Sequence, residues 1–217
     1  MKYKLVCFDV DGTLVDGIEF SWSFFHDYFK VDMERREKAK DSFDKGEISY
    51  LDWALHDIGM WMEMGITYDD FKKAISSLTL MPNARELLIE LKKNKIKLAI
   101  ISGSFDFILK ELIPDYEEIF DDVYISKLIF DNKGKIKEVI ATDYDMHRKA
   151  EALRLVAEKH GFTLEECAFV GDHYNDIEIM KKVGKGIAFN CKSEVLRNLA
   201  DVVIENKDLK EVTKHLI

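Results

Sequence analysis

Two short apolar runs of this chain each end in a pair of acids. Asp9-Val10-Asp11-Gly12-Thr13 follows residues 4–8, and Gly171-Asp172-His173-Tyr174-Asn175-Asp176 follows residues 167–170. Residues two apart in an extended segment project to the same side, so Asp9 and Asp11 share one small volume. Desolvating an unpaired carboxylate costs several kcal/mol, so acids at the end of a buried strand call for a compensating partner. Two such strand ends bring three or four carboxylates together, and their repulsion points to Mg²⁺ or a similar hard cation with divided chemical roles. Gly12 lets the backbone turn away sharply, and Thr13 offers a hydroxyl or amide to an anion. Read alone, the first segment also fits a solvated Asx turn, and Asp176 also fits a plain helix cap.

Two further positions complete the chemistry. Residues 100–101 run into Ser102-Gly103-Ser104-Phe105 and then a helical pattern, a turn whose free N–H groups suit an anion or merely cap a helix. Lys149 opens the apolar periodicity of its helix, where a cation is mildly unfavourable against the dipole. With Arg148 beside it, a solvated pair accounts for Lys149 locally; a phosphate held among acids would instead need it as a fixed positive partner.

The elements that must position these residues are read from periodicity. Apolar runs at 4–8, 96–101, 167–170, 186–189 and 201–204 predict buried parallel strands, with helical patterns between the later ones. This is an α/β arrangement, a Rossmann-like doubly wound parallel sheet. Pro82 starts a helix over 83–93 with Leu87, Leu88 and Leu91 inward, and a second helix over 146–160 stops at Gly161. Residues 123–140 alternate β-prone and charged residues around Asn132-Lys133-Gly134-Lys135, which predicts a β-hairpin off the sheet. Between the first strand and residue 81 the chain is far longer than a βα connection and reads as helical throughout, over 20–30, 32–43, 49–64 and 68–78, with Gly46 and Gly65 as breaks. The expected organisation is a catalytic core of residues 1–14 and 81–217 and a helical cap of residues 15–80. Ligands of open α/β sheets bind outside the carboxyl ends of the strands, so an insert rooted there lies over the site as a lid.

Composition narrows the function. With 41 Asp and Glu against 32 Lys and Arg, net charge −9, and no basic cluster, the chain offers no face for displacing counterions from nucleic acid. No apolar run approaches the roughly 20 residues needed to span a bilayer. The N-terminus leads straight into a strand with no signal core, so the expected location is cytoplasmic. Cys7, Cys167 and Cys191 match no zinc spacing and read as reduced thiols. Oligomeric state is not legible.

Asp-x-Asp-Gly-Thr, Ser-Gly, Lys and Gly-Asp-x-x-x-Asp, in this order at strand and helix ends, resemble the haloacid dehalogenase-like superfamily over nearly the whole chain. Ser102-Gly103-Ser104-Phe105-Asp106, Lys149-Ala150-Glu151-Ala152-Leu153, Val170-Gly171-Asp172 with Asn175-Asp176, and Gly186-Ile187-Ala188-Phe189-Asn190 narrow the likeness to its phosphoserine phosphatase-like group. The resemblance implies a Mg²⁺-dependent phosphatase of a small phosphorylated metabolite. Asp9 would be the nucleophile that becomes an aspartyl-phosphate, and Asp11 the acid and then the base. Mg²⁺ would be held by Asp9, the backbone carbonyl of Asp11, and Asp172. Ser102 and Lys149 would bind phosphoryl oxygens, helped by Gly103 and the amides near Gly12 and Thr13. Asp176 would orient Lys149, and Asn175 would support the site. A phosphosugar mutase of the same superfamily and a non-catalytic phosphate-binding protein are the alternatives; Asp11 argues against dehalogenation.

The lid departs from the group's pattern. There a Glu shortly after the first motif and an Arg gripping the substrate carboxylate are expected. Ungapped counting puts the Glu slot near Ile18, with Glu19 adjacent, and the Arg slot near Asp57; no Arg occurs between Arg36 and Arg85. Selectivity for phosphoserine is therefore not expected. The lid's aromatics, Trp22, Phe24, Phe25, Tyr28, Phe29, Tyr50, Trp53 and Trp61, are expected mostly to form a small core of its own, with Trp22 or Trp53 lining a substrate pocket. His173 reads either as a leaving-group contact or as an exposed loop residue.

Overall fold

The computed structural model describes residues 2–142, 144–146 and 148–217. In chain order the elements are β1 (Leu5–Phe8), β2 (Val15–Asp16), α1 (Ser21–Phe29), α2 (Met33–Asp44), α3 (Tyr50–Glu63), α4 (Tyr68–Ile75), β3 (Thr79–Leu80), α5 (Ala84–Lys93) and β4 (Lys97–Phe105). Then follow α6 (Asp106–Leu112), α7 (Tyr116–Ile119), β5 (Asp122–Phe130), β6 (Ile136–Ile140), α8 (Lys149–His160), β7 (Cys167–Gly171), α9 (Ile177–Met180), β8 (Lys185–Phe189), α10 (Glu194–Leu199), β9 (Val202–Ile204) and α11 (Lys210–Leu216).

The main sheet has the order β6-β5-β4-β1-β7-β8-β9, parallel except for β6. Alternation along β1 sends Leu5 and Cys7 into one apolar layer with Ala152, Leu153 and Val156 of α8, and Val6 and Phe8 into the other with Leu87, Leu88 and Leu91 of α5. Helices on both faces make the doubly wound class that the strand pattern predicts. The chain leaves β1 for β4 on one side and later returns to β7 on the other, so the carboxyl ends of β1, β4 and β7 meet at the switch point of the sheet. Asp9, Ser102 and Asp172 stand there. The three cysteines are buried and free. Among the described residues no helix is long and apolar enough to cross a membrane.

Several expectations shift. The second helix begins at Lys149 and not at 146; Met146 lies in a bend and His147 lies outside the described residues. The expected hairpin is continuous with the sheet: the first half of β5 pairs parallel with β4, and its second half carries β6 antiparallel. Helices α1–α4 fall where the insert is predicted, with Gly46 and Gly65 both at φ +71 between them. At its root, β2 and β3 form a two-residue antiparallel ladder too short to leave a periodic signal. The insert's aromatics do not form a separate core. Phe25, Trp61 and Phe71 pack edge to face with one another and reach Phe105 at the end of β4 and Phe107 in α6, which extends the apolar layer of the sheet into the insert.

Candidate active site

Asp9 follows β1, its N–H donating to the Val170 carbonyl of β7 (3.0 Å). Its Oδ1 accepts from the Val10 N–H (2.8 Å), and its Oδ2 lies 3.1 Å from Lys149 Nζ. Lys149 is 1% exposed at the start of α8 and donates to Asp176 Oδ1 at 2.7 Å. Asp176 Oδ2 in turn accepts the backbone N–H groups of Asp172 (3.0 Å) and His173 (3.2 Å), so this carboxylate pins both the ammonium and the loop. The ammonium is therefore held among acids, which raises the Lys149 pKa above its ordinary value despite the opposing desolvation.

Asp11 points elsewhere. Its Oδ1 accepts from the Ser104 hydroxyl (2.7 Å) and its Oδ2 from the Ser21 N–H (2.6 Å), the first residue of α1. Phe20, which precedes α1, has no side-chain cap, so Asp11 supplies from another part of the chain the acceptor that a helix start needs. Burial pushes the Asp11 carboxyl up to about 7, with Ser104 opposing and the Asp9 charge adding to the rise. A carboxyl half protonated near neutrality is suited to give a proton in one step and take one in the next.

The remaining predicted residues are also here. Gly12 has φ +70, and a Cβ on it would lie 2.2 Å from Asp172 Oδ2, so glycine is required both for the turn and for the close approach. Buried Thr13 donates to Asp172 Oδ1 at 3.4 Å. Ser102 is 1% exposed and its Oγ accepts from the Ser104 N–H (3.2 Å). The Gly103 carbonyl accepts from Trp22 Nε1–H (3.0 Å), and a Cβ there would strike Asp145 (2.0 Å from Cγ). Asn175 donates to Asp145 Oδ1 (3.2 Å). His173 faces Glu19: its Nδ1 accepts from the Tyr174 N–H (2.9 Å), so Nε2 carries the proton that bonds Glu19 Oε1 (2.8 Å).

Carboxylate oxygens of Asp9, Asp172 and Asp176 lie within 4.8 Å of one another, and Asp172 Oδ2 is buried without a hydrogen-bond partner. Both Asp176 oxygens are engaged by Lys149 and by the loop N–H groups, Asp9 turns one oxygen to the Val10 N–H and one to Lys149, and Asp172 alone of the three has an oxygen with no partner. Asp11, its carboxyl turned to Ser104 and Ser21, is left with its backbone carbonyl. An orphaned buried oxygen among acids fits a hard divalent ion such as Mg²⁺. Burial and the Asp9 charge push the Asp172 carboxyl up to about 9. A carboxyl raised on folding stabilises the fold fully below its unfolded value near 4 and loses that contribution as pH climbs through the folded value. Thermal melts in EDTA should therefore show this cluster weakening the protein from about pH 4 to 9, with Mg²⁺ raising the melting temperature more at pH 8 than at pH 5. An equal Mg²⁺ effect at both would count against a site built on Asp172.

Sequence reasoning missed four participants. Ser104, two residues beyond Ser102 on one strand, had a period-two signal that was readable. Ser21, Asp145 and Arg36 had none, because each arrives by tertiary folding. Asp145, in the bend before α8, also accepts from the Tyr50 hydroxyl of α3 (2.9 Å). Arg36 of α2 pairs through Nε with Asp57 Oδ2 (3.3 Å) and donates to Ser23 Oγ (3.4 Å). Trp61 Nε1–H donates to His26 Nδ1 (2.8 Å), which leaves the His26 proton on Nε2, facing Asp57 Oδ2 at 2.8 Å. Burial lowers the His26 pKa, so Arg36 and not the His26 imidazole balances the 1%-exposed Asp57 carboxylate, whose Oδ1 also lies 3.3 Å from His56 Nδ1.

A family model of haloacid dehalogenase-like hydrolases matches residues 3–184. Phosphoserine phosphatase of Methanocaldococcus jannaschii is 29% identical over 215 residues, 99% of this chain and 98% of the relative. That of Wolinella succinogenes is 26% identical over 215 residues, 98% and 100% of the two chains. Among solved structures, a substrate-bound phosphoserine phosphatase complex matches all of both chains with a TM-score of 0.77 at 28% identity.

Proposed function

Because the chain belongs to the haloacid dehalogenase-like hydrolases and is phosphoserine phosphatase-like within them, we propose that it is a Mg²⁺-dependent phosphatase of a small phosphomonoester, working through a phosphorylated Asp9. The single observation that carries this reading is Lys149, a buried ammonium 3.1 Å from Asp9 and 2.7 Å from Asp176, beside the orphaned oxygen of Asp172.

In this reading an Asp9 carboxylate oxygen attacks phosphorus, forming the acyl phosphate as the ester P–O bond breaks. Asp11, protonated near neutrality, gives its proton to the departing oxygen, and the Ser104 hydroxyl holds its orientation. The Asp11 carboxylate then takes a proton from water, which attacks the same phosphorus; phosphate leaves and Asp9 is restored. Lys149 and Ser102 receive the phosphoryl oxygens, with Gly103 allowing close approach, and Asp176 and Asn175 fix their neighbours. Mg²⁺, held by Asp9, Asp172 and the Asp11 carbonyl, would supply charge stabilisation to the phosphoryl group. Phosphoryl transfer is mostly positioning and charge stabilisation, which is what these groups provide.

Phosphoserine is not proposed as the preferred substrate, although the relatives named above are phosphoserine phosphatases. Ungapped counting puts the group's arginine near Asp57, an acid, and Arg36, the arginine that does reach this place, is engaged by that acid.

Turnover of p-nitrophenyl phosphate should require Mg²⁺ and vanish in EDTA; metal-independent turnover would remove the reading. Asp11→Asn should lower kcat/KM for propyl phosphate by about 10²–10⁴-fold, the range of general-acid catalysis, and for p-nitrophenyl phosphate much less. That parameter reports the first chemical step, in which nitrophenolate leaves without a proton and an alkoxide does not. Equal losses on both substrates would place Asp11 in another role.

A further inference from the structure

A cavity of about 120 Å³ opens between the helical insert and the sheet, lined among others by Trp22, Tyr50, Trp53, Ala54, Met146 and Tyr174. Phe20, Trp22 and Asp145 also line the recess that holds Asp9, Asp11 and Ser102, so the two spaces adjoin. From this geometry, and resting on the phosphatase reading, we propose that the substrate's leaving group carries a single uncharged aromatic ring seated in this cavity.

Aromatic side chains form much of the wall, beside the charged side chains of Arg36, Lys40, Asp57 and Asp145. Trp53 stacks on Phe43 (ring centres 5.0 Å apart, 22° between planes) with Tyr50 at right angles to it (6.1 Å, 89°). Trp22 stacks on Trp61 (5.7 Å, 21°) and is anchored through its indole N–H to Gly103. Rings braced from behind are pre-organised for another ring, and offset or edge contacts with an aromatic guest add to its burial.

Charge points the same way. Arg36 is held by the buried Asp57, for which it is the balancing cation, and the half-exposed Lys40 is paired with Asp44 at 2.5 Å. Drawing Arg36 toward a substrate carboxylate would leave the buried Asp57 with only the imidazoles of His26 and His56 beside it. Asp145, at the junction of the two spaces, has its carboxyl oxygens taken by Tyr50 and Asn175 and offers no positive charge to an anionic guest. Size sets the scale: about 120 Å³ is of the order of the roughly 150 Å³ of a cavity that holds one benzene, so a single ring is the guest nearest in size.

Benzyl phosphate, propyl phosphate and O-phospho-L-serine are all esters of primary alcohols, so their relative kcat/KM with Mg²⁺ reads the fit of the leaving group and little of its chemistry. We expect benzyl phosphate to exceed both others by about 100-fold, a ratio that an apolar pocket can draw from as little as one methylene. Trp53→Ala should lower kcat/KM at least ten-fold more for benzyl than for propyl phosphate. If propyl phosphate and phosphoserine match or exceed benzyl phosphate in the wild-type protein, the inference is overturned and the phosphatase reading stands. If no ester is hydrolysed, both fall. The wild-type ratio decides even where the Trp53 variant does not fold.

Discussion

Asp9→Asn is expected to lower kcat by about 10⁴-fold or more while the protein stays folded, because an amide cannot supply the attacking carboxylate oxygen. The substitution is nearly isosteric at a side chain 4% exposed, so no cavity or clash is created. The Asn carbonyl can keep the bond from the Val10 N–H or face Lys149, but not both, since the amide N–H₂ cannot accept from either. A second consequence separates loss of the nucleophile from loss of fold. The Asp9 charge is one of the causes that raise the Asp172 carboxyl, so its removal relieves the metal-free protein at pH 8 and weakens its response to Mg²⁺. Melting in EDTA should therefore be no lower than wild type, and the Mg²⁺-induced rise should shrink. Wild-type turnover by this variant would sink the assignment of Asp9.

What the sequence disclosed here has a physical pattern. Asp9, Ser102, Lys149, Asp172 and Asp176 were readable because each sits near the end of an apolar run or at the start of a helix, boundaries that local composition marks. The fold was readable for the same reason, since buried strands and amphipathic helices alternate along the core. Asp145 lies in a bend with no periodicity, and only folding brings it over Gly103. Arg36 sits on α2, which buries none of its residues, so nothing along that helix marks the one side chain that turns inward to Asp57. The expectation of a separate lid core failed because Phe105, at a strand end, and Phe107, in the first turn of the next helix, turn their rings to the insert, which no periodicity along the insert marks. Local signals located the groups proposed for the chemistry, and tertiary contacts built the cavity proposed for the leaving group.

Lys149→Met carries the second large effect, on rate and stability together. The side chain is fully buried with its ammonium against Asp9 and Asp176, so methionine fills most of the volume and removes only the charge and its hydrogen bonds. Removing one partner of a buried ion pair costs on the order of 3–5 kcal/mol, because the carboxylates left behind have neither solvent nor cation. The sign with pH follows from the groups that remain. Without Lys149 the carboxyls of Asp172 and Asp176 rise further, since the ammonium is a cause that lowers both. The deficit should thus be largest at pH 8 and shrink toward pH 5 as protons replace the missing charge. Arg148→Ala makes the contrast: that side chain is exposed and paired with Glu151, and its loss should stay within about 0.5 kcal/mol. At pH 5–6, where the variant is more stable, kcat/KM should still lie about 10³-fold below wild type if Lys149 holds a phosphoryl oxygen, as removal of one positioned donor does elsewhere. Recovery of the rate along with the stability would mean that Lys149 merely balances the acids. A persistent loss would mean that the ammonium which makes the cluster of acids tolerable in the fold is also the group that receives the phosphate.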